Sequence, residues 1–132
     1  MVGPDACVTG TVVTDSREAS AGSLYVARRG ENADGHAFVH GAIERGAVAV
    51  IAERELEEAV AQIIVEDSTR ALGDLARAHV DALRSRGTLD VIAMTGSVGK
   101  TTTKDLLLQI LSEDGPTVAP KLSFNNEVGL PL

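Results

Sequence analysis

Aromatic residues and cysteine are scarce in this sequence. Its 132 residues include no tryptophan, one tyrosine, two phenylalanines and one cysteine. A folded core must therefore be built from valine, isoleucine, leucine and alanine. Cys7 cannot form an internal disulfide, and the cysteine and histidine spacing does not fit a structural zinc site. We therefore expect a fold that depends on neither.

Long apolar runs and basic clusters are also missing. The apolar runs are too short to span a bilayer, and the first residues lack the basic and apolar regions of a signal peptide. These features predict a soluble, cytoplasmic protein with no membrane partner. The formal net charge of −7 argues against nonspecific nucleic-acid binding. A small anion remains possible, because a phosphate site needs only a helix end and a lysine.

The composition and the spacing of apolar residues predict a globular α/β protein. Hydrophobic residues make up 44% and charged residues 23% of the chain, which is normal for a folded domain. Short apolar runs predict strands, and apolar residues at helical spacing predict helices between them. The predicted strands cover residues 11–14, 23–27, 47–52 and 62–65, and the predicted helices cover residues 36–45 and 67–86.

The stretch from residue 89 to 111 carries the clearest chemical signal. It starts with the apolar run 91–94, typical of a buried parallel strand, and ends in a helical pattern of leucine and isoleucine. Between them lie two glycines followed by Lys100 and Thr101. Strand, glycine-bearing loop, Lys-Thr and helix together indicate a phosphate-binding loop, so we predict that this stretch binds a nucleoside triphosphate.

Each residue type in this loop suits a triphosphate. Glycines allow the backbone N–H groups to point inward, and the helix start adds unpaired N–H groups and its positive dipole end. Lys100 can follow the outer phosphates, and the Thr101 hydroxyl is placed to bind Mg²⁺. The predicted nucleotide-binding residues are Gly96, Ser97, Gly99, Lys100, Thr101 and Thr102.

The loop departs from the standard spacing in one place. That spacing requires glycine at position 94, where this chain has Met94, and the first glycine is Gly96 instead. The alternative is a glycine turn that merely joins a strand to a helix, with Lys100 in solvent. The pattern by itself leaves this alternative open.

The chain is predicted to contain two domains. A boundary near Gly87 assigns residues 1–87 to a small α/β domain and residues 88–132 to the start of a parallel-sheet domain. Residues 117–119 could form a second strand beside residues 91–94. A parallel sheet of two strands cannot bury both of its faces, so we expect the second domain to be truncated.

Three ordered motifs together resemble the Mur ligase family, the ATP-dependent enzymes that assemble the peptide of the bacterial cell-wall precursor. The first comprises residues 14–17 (TDSR), 22–27 (GSLYVA) and 34–38 (DGHAF). The second is 95–104 (TGSVGKTTTK), and the third is 123–132 (SFNNEVGLPL). The paired asparagines of the third motif look most like the member that adds D-alanyl-D-alanine. The resemblance covers nearly the whole chain.

The resemblance implies an ATP-driven ligase that joins D-alanyl-D-alanine to UDP-N-acetylmuramoyl-tripeptide through an acyl phosphate. Residues 1–87 would bind the UDP-sugar peptide and residues 88–132 would begin the ATP-binding domain. By matching position, Lys100 would hold the β- and γ-phosphates, and Thr101 and Glu127 would hold Mg²⁺. Lys100 and Glu127 would be the catalytic residues, and the protein would be a monomer.

The resemblance also implies a substrate site in the first domain. Ser16 would contact the base or its phosphates, and His36 would stack on or hydrogen-bond to the base. The predicted substrate-binding set is Asp15, Ser16, Arg17, Gly35, His36, Asn125 and Asn126. For several of these residues a structural role is also open. Asp15 could cap its own turn with Arg17 as its ion-pair partner, His36 could be a helix-entry residue without a ligand, and the asparagines could satisfy local turns.

The sequence departs from the family pattern in two ways, and two other functions also stay open. Val98 stands where many relatives carry asparagine, and the chain ends before the family's carbamylated lysine, second-metal histidine and amine-binding domain. The chain should therefore not turn over by itself. The alternatives are the related ligase that adds the third peptide residue, or a non-catalytic nucleotide-binding module.

Overall fold

The computed structural model describes residues 1–30, 33–87 and 89–120. The chain divides into two compact units, Met1–Leu75 and Ala76–Leu132, and each is described by itself. The division falls inside a helix, earlier than the predicted boundary near Gly87. The assignment of residues 1–87 and 88–132 to two functional domains stays a prediction.

The first unit is built on a parallel four-stranded sheet. Its strands are β1 (Val12–Val13), β2 (Ser23–Val26), β3 (Ala47–Ala52) and β4 (Ala61–Ile64), in the order β1-β2-β3-β4. All three neighbouring pairs are parallel. This arrangement confirms the α/β fold class and the four strands predicted for the first unit, to within two residues at each end.

Helical segments cross between the strands. Two 3₁₀ turns cover Ser16–Glu18 and Gly35–Phe38, and the α-helices are α1 (Val39–Glu44) and α2 (Ser68–Ser85). The predicted helix 36–45 therefore begins as a 3₁₀ turn, because the Asp34 side chain accepts the backbone N–H of His36 and tightens the entry. Among the described residues, no helix combines the length and apolar character that a bilayer crossing requires.

The core of the first unit is aliphatic, as the composition predicts, apart from one aromatic side chain. Tyr25 is 1% exposed and lies among small residues from the strands and α1. The cluster contains Val13, Ala19, Tyr25, Ala27, Val39, Ala42, Ala47, Val50, Ala52 and Val60. Five of these ten residues are alanine, so the elements approach closely and leave little room for larger side chains.

The second unit contains α3 (Lys100–Ser112), which confirms the helix predicted after the glycine loop. The strands predicted at residues 91–94 and 117–119 are absent, and the described part of this unit contains no strand at all. Val91 and Ile92 are 56% and 59% exposed, and Leu106 and Ile110 of α3 are also exposed. The prediction failed because a strand needs a neighbouring strand for its hydrogen bonds, and none lies alongside residues 91–94.

Gly35 marks the closest approach between backbone segments near the end of β2. Its N–H donates to the Arg28 carbonyl at 2.7 Å. A Cβ atom at this position would lie 2.7 Å from both the backbone nitrogen and the backbone oxygen of Arg28. Any side chain would therefore force the two segments apart.

We expect Gly35→Ala to lower the free energy of unfolding by about 1–3 kcal/mol, since overpacking against backbone cannot be relieved by a rotamer change. Gly73→Ala is the matched control. Gly73 lies inside α2 with nothing within 4 Å of its would-be Cβ, so the change should stabilise by up to about 1 kcal/mol. Urea denaturation of both variants measures the difference. Equal stability of the Gly35 variant and the wild type would contradict the close approach.

Candidate functional site

A cleft of about 490 Å³ lies at the carboxyl ends of β1 and β2. Ligands of parallel α/β sheets bind at this edge, because the loops that leave neighbouring strands meet there. Thr14 follows β1 directly, and Arg28 follows β2 after one residue. The cleft is lined by Thr14, Asp15, Ser16, Arg17, Tyr25, Arg28, Gly30, Ala33, Gly35 and Phe38. It therefore brings together Asp15, Ser16, Arg17 and Gly35 of the predicted substrate set.

Asp15 and Arg17 are each other's main partners. One carboxylate oxygen of Asp15 accepts the Arg17 backbone N–H at 2.9 Å, and the other lies 2.5 Å from an Arg17 terminal nitrogen. Hydrogen bonds from the Arg17 side chain, and then from its backbone, lower the pKa of Asp15 to about 2. The capping and pairing roles considered for these residues are thus the ones observed. Ser16 also lines the cleft, and within the described chain its hydroxyl has no hydrogen-bond partner.

His36 is a buried structural group. Its side chain has no exposed surface, and its Nδ1 lies 2.5 Å from Asp34 Oδ1. Its Nε2 accepts the backbone N–H of Glu53 at 2.9 Å, which requires an unprotonated Nε2 and places the proton on Nδ1. Hydrogen bonds from the His36 backbone and then its ring lower the pKa of Asp34 to about 2. His36 presents no ring nitrogen to the cleft, although Gly35 beside it forms part of the wall.

Glu53 extends this network to α2. One of its carboxylate oxygens accepts the Ser68 backbone N–H at 3.2 Å and the Ser68 hydroxyl at 2.9 Å. The other lies 3.3 Å from Arg29. The hydrogen bond from the Ser68 backbone is the main reason that the pKa of Glu53 is lowered. Sequence reasoning did not single out Glu53, because its partners Arg29 and Ser68 lie far from it along the chain.

Tyr25, Arg28 and Phe38 line the cleft but were not predicted as site residues. Tyr25 donates its hydroxyl to the Gly35 carbonyl at 2.9 Å, and burial raises the pKa of this tyrosine to about 12. Phe38 is 49% exposed. One signal in the sequence could have identified Arg28, namely its position directly after the strand predicted at residues 23–27. The scarcity of aromatic residues was a second signal, since the chain has only three of them and two, Tyr25 and Phe38, line this cleft.

The glycine loop of the second unit leads into an uncapped helix start. Gly99 has φ +78°, in the left-handed region that favours glycine, and no side chain caps α3. The residues from Gly96 to Gly99 are exposed, as are Thr101 and Thr102. The Lys100 ammonium group donates to the Gly96 carbonyl. The first N–H groups of α3 and the lysine thus share one open end, which suits an anion.

The predicted metal site is only partly described. Thr101 lies at the exposed start of α3. Asn125, Asn126 and Glu127 lie outside the described residues. Across residues 1–30, 33–87 and 89–120, no group of three or more His, Cys, Asp or Glu side chains could hold a metal ion.

Comparison with known protein families gives a match over the residues that form the sheet and the cleft. The model of the Mur ligase family, catalytic domain, matches residues 10–80, more than half of the chain. The chain belongs to the Mur ligase family. This match includes all four strands and the cleft between residues 14 and 38.

Individual proteins of the Mur ligase family are similar to this chain in sequence and in structure. A Synechocystis UDP-N-acetylmuramoyl-tripeptide–D-alanyl-D-alanine ligase is 42% identical over 123 residues, which is 91% of this chain and 26% of that protein. A MurF structure from Acinetobacter baumannii has a TM-score of 0.82 at 40% identity, over 92% of this chain and 26% of the other. The Thermotoga maritima MurF ligase in complex with ADP has a TM-score of 0.76 at 36% identity, over 94% of this chain and 28% of the other. This chain therefore spans about a quarter of the length of these relatives.

We expect His36→Leu to lower the free energy of unfolding by about 1–3 kcal/mol, because it leaves the Glu53 N–H without its acceptor. His40→Ala is the control. The His40 side chain is 76% exposed beside Glu44, and its loss should change the free energy by less than about 0.5 kcal/mol. Urea denaturation at neutral pH measures both. A His36 variant as stable as the His40 variant would show that the buried network contributes little.

Proposed function

We propose that this chain is the UDP-sugar-binding part and the beginning of the ATP-binding part of a D-alanyl-D-alanine-adding Mur ligase. The observation that supports it most strongly is the 42% identity, over 91% of this chain, to a ligase of that name. The complete enzyme would join D-alanyl-D-alanine to UDP-N-acetylmuramoyl-tripeptide in the cytoplasm, as a monomer. Because the chain spans a quarter of such a ligase, we do not expect it to turn over by itself.

The proposed reaction uses ATP to activate a carboxylate. The γ-phosphoryl group passes from ATP to the terminal carboxylate of the tripeptide, which gives an acyl phosphate and ADP. The amine of D-alanyl-D-alanine then attacks the acyl carbon, an amide forms, and phosphate leaves with the bonding electrons of the broken C–O bond. The amine loses a proton in this step.

The loop before α3 is proposed to hold the triphosphate. Its exposed glycines and the uncapped N–H groups of α3 can bind phosphate oxygens, and Lys100 can neutralise the β- and γ-phosphates. The Thr101 hydroxyl, together with Glu127, would hold Mg²⁺. Bound Mg²⁺ offsets the negative charge of the transferred phosphoryl group. The hard oxygen donors of threonine and glutamate suit this ion.

The cleft of the first unit is proposed to bind the UDP end of the substrate. Ser16 offers a hydroxyl within the cleft, and the half-exposed ring of Phe38 offers a surface for a flat base. Asp15 and Arg17 line the cleft as a mutual ion pair, and Gly35 lines it where the backbone lies close to Arg28. Asn125 and Asn126 are proposed to contact substrate from the second domain.

Calorimetric titration of the 132-residue chain with UDP-N-acetylmuramoyl-tripeptide tests the substrate-binding proposal. We expect saturable binding without ATP, because the cleft belongs to the first unit alone. A folded chain that binds neither this compound nor UDP would overturn the assignment. ATP as titrant in a parallel experiment examines the phosphate loop separately.

Lys100→Ala, made in the full-length ligase that carries this segment, should reduce ATP-dependent phosphate release at least 100-fold, because the charge at the outer phosphates is lost. Gln109→Ala, at an exposed position of the same helix, is the matched control and should leave the rate unchanged. A colorimetric phosphate assay measures both. Retained activity in the Lys100 variant would remove the phosphate-loop assignment.

A further inference from the structure

Arg28 differs from the other charged groups of the cleft in having no ion-pair partner. Its Nε donates to the Thr69 hydroxyl at 3.0 Å, and the residue lines the cleft. Within the described chain, no carboxylate oxygen lies within 4.0 Å of its guanidinium group. Its two terminal nitrogens keep their hydrogen-bond donors available.

Three other arginines of the first unit are already paired with carboxylates. A fourth, Arg45, has no carboxylate partner among the described residues, but it does not line the cleft, and its Nη1 donates to the Gly41 carbonyl at 2.9 Å. Arg17, the other arginine that lines the cleft, is paired with Asp15 at 2.5 Å. Arg29 lies 3.3 Å from Glu53, and Arg54 lies 3.4 Å from Asp34. A ligand anion would have to compete with a carboxylate for each of these three side chains. Arg28 requires no such competition.

Thr69 fixes the direction of the Arg28 side chain. It lies in the first turn of α2, where the Asp67 carboxylate accepts the backbone N–H groups of Thr69 and Arg70 at 2.8 and 2.9 Å. This cap holds the first turn in place, so the Thr69 hydroxyl is a fixed acceptor for Nε. An arginine held at Nε presents its terminal nitrogens as a planar fork, which matches two oxygens of a phosphate group.

We propose that Arg28, positioned by Thr69, binds the diphosphate of the sugar nucleotide in the cleft. This inference rests on the proposed function and names the charged contact for that substrate. Phe38 lines the same cleft with a half-exposed ring, so one site offers an aromatic surface for a base and a cation for phosphates. Neither Arg17 nor His36 can supply that charge, because Arg17 is paired and His36 is buried with both ring nitrogens occupied.

The test compares UDP with uridine as titrants of the 132-residue chain and its variants. Arg28→Gln should weaken UDP binding roughly tenfold or more, since charge-assisted hydrogen bonds are lost. Uridine lacks the diphosphate, so its affinity for the Arg28 variant should equal its affinity for the wild type. Thr69→Val keeps the arginine but removes the acceptor, and it should weaken UDP binding by a smaller factor without changing uridine binding.

Arg70→Gln is the matched control. It makes the same change in charge one position after Thr69, on a side chain that is 81% exposed and outside the cleft. It should leave the UDP affinity unchanged. Higher salt should weaken UDP binding to the wild type and affect the Arg28 variant much less. Circular dichroism establishes that each variant is folded, and the salt series tests the same charge in the wild type if the Arg28 variant does not fold.

The outcomes separate this inference from the proposed function. If UDP binds the wild type and the Arg28 variant equally well, another group binds the diphosphate and the inference is overturned while the proposed function stands. If uridine binding falls as much as UDP binding, Arg28 shapes the cleft and does not contact the phosphates. If the folded wild type binds neither UDP nor the UDP-linked tripeptide, both proposals fail.

Discussion

The hydrogen bonds of one buried imidazole ring fix the turn beside the cleft to the sheet of the first unit. His36 connects the Asp34 carboxylate to the backbone N–H of Glu53, so the turn after β2 is fixed to the end of β3. Glu53 in turn accepts two hydrogen bonds from Ser68 at the start of α2. Buried polar groups are costly unless they are all paired, and among the described residues no buried side-chain nitrogen or oxygen lacks a partner. The position of Gly35 in the cleft wall follows from this arrangement.

Charge in this chain is organised locally. The formal net charge is −7, yet both proposed ligands are anions. The acidic side chains near the cleft are held by arginines or by backbone N–H groups, which keeps the pKa values of Asp15 and Asp34 near 2. Arg28 in the cleft and the uncapped start of α3 are two positive features that no described carboxylate neutralises. An anion site therefore does not require a basic protein, because the field near a ligand depends on the nearest unpaired groups.

The strands of the first unit could be predicted because each one supplies its own signal. Residues 47–52 form a continuous apolar run between a glycine and an acidic segment, and β3 has the same bounds. Residues 91–94 give a similar apolar signal but form no strand. The difference is pairing, since β3 lies between β2 and β4 while no described strand lies beside residues 91–94. Apolar character indicates which segments can be buried, and only a neighbouring strand provides the hydrogen bonds.

The sequence by itself determined the α/β class, the helix after the glycine loop, and the motifs that carry the Mur ligase resemblance. These features depend on residues that are close in the chain, where periodicity and turn chemistry act. The tertiary structure decided the roles of individual side chains. In the fold, His36 is a buried residue that hydrogen-bonds to both Asp34 and Glu53, and Arg17 pairs with Asp15. The Nε of Arg28 donates to Thr69, which is 41 positions away, and its terminal nitrogens stay available. Such roles depend on which atoms of distant residues meet, and the order of residues along the chain does not specify those distances.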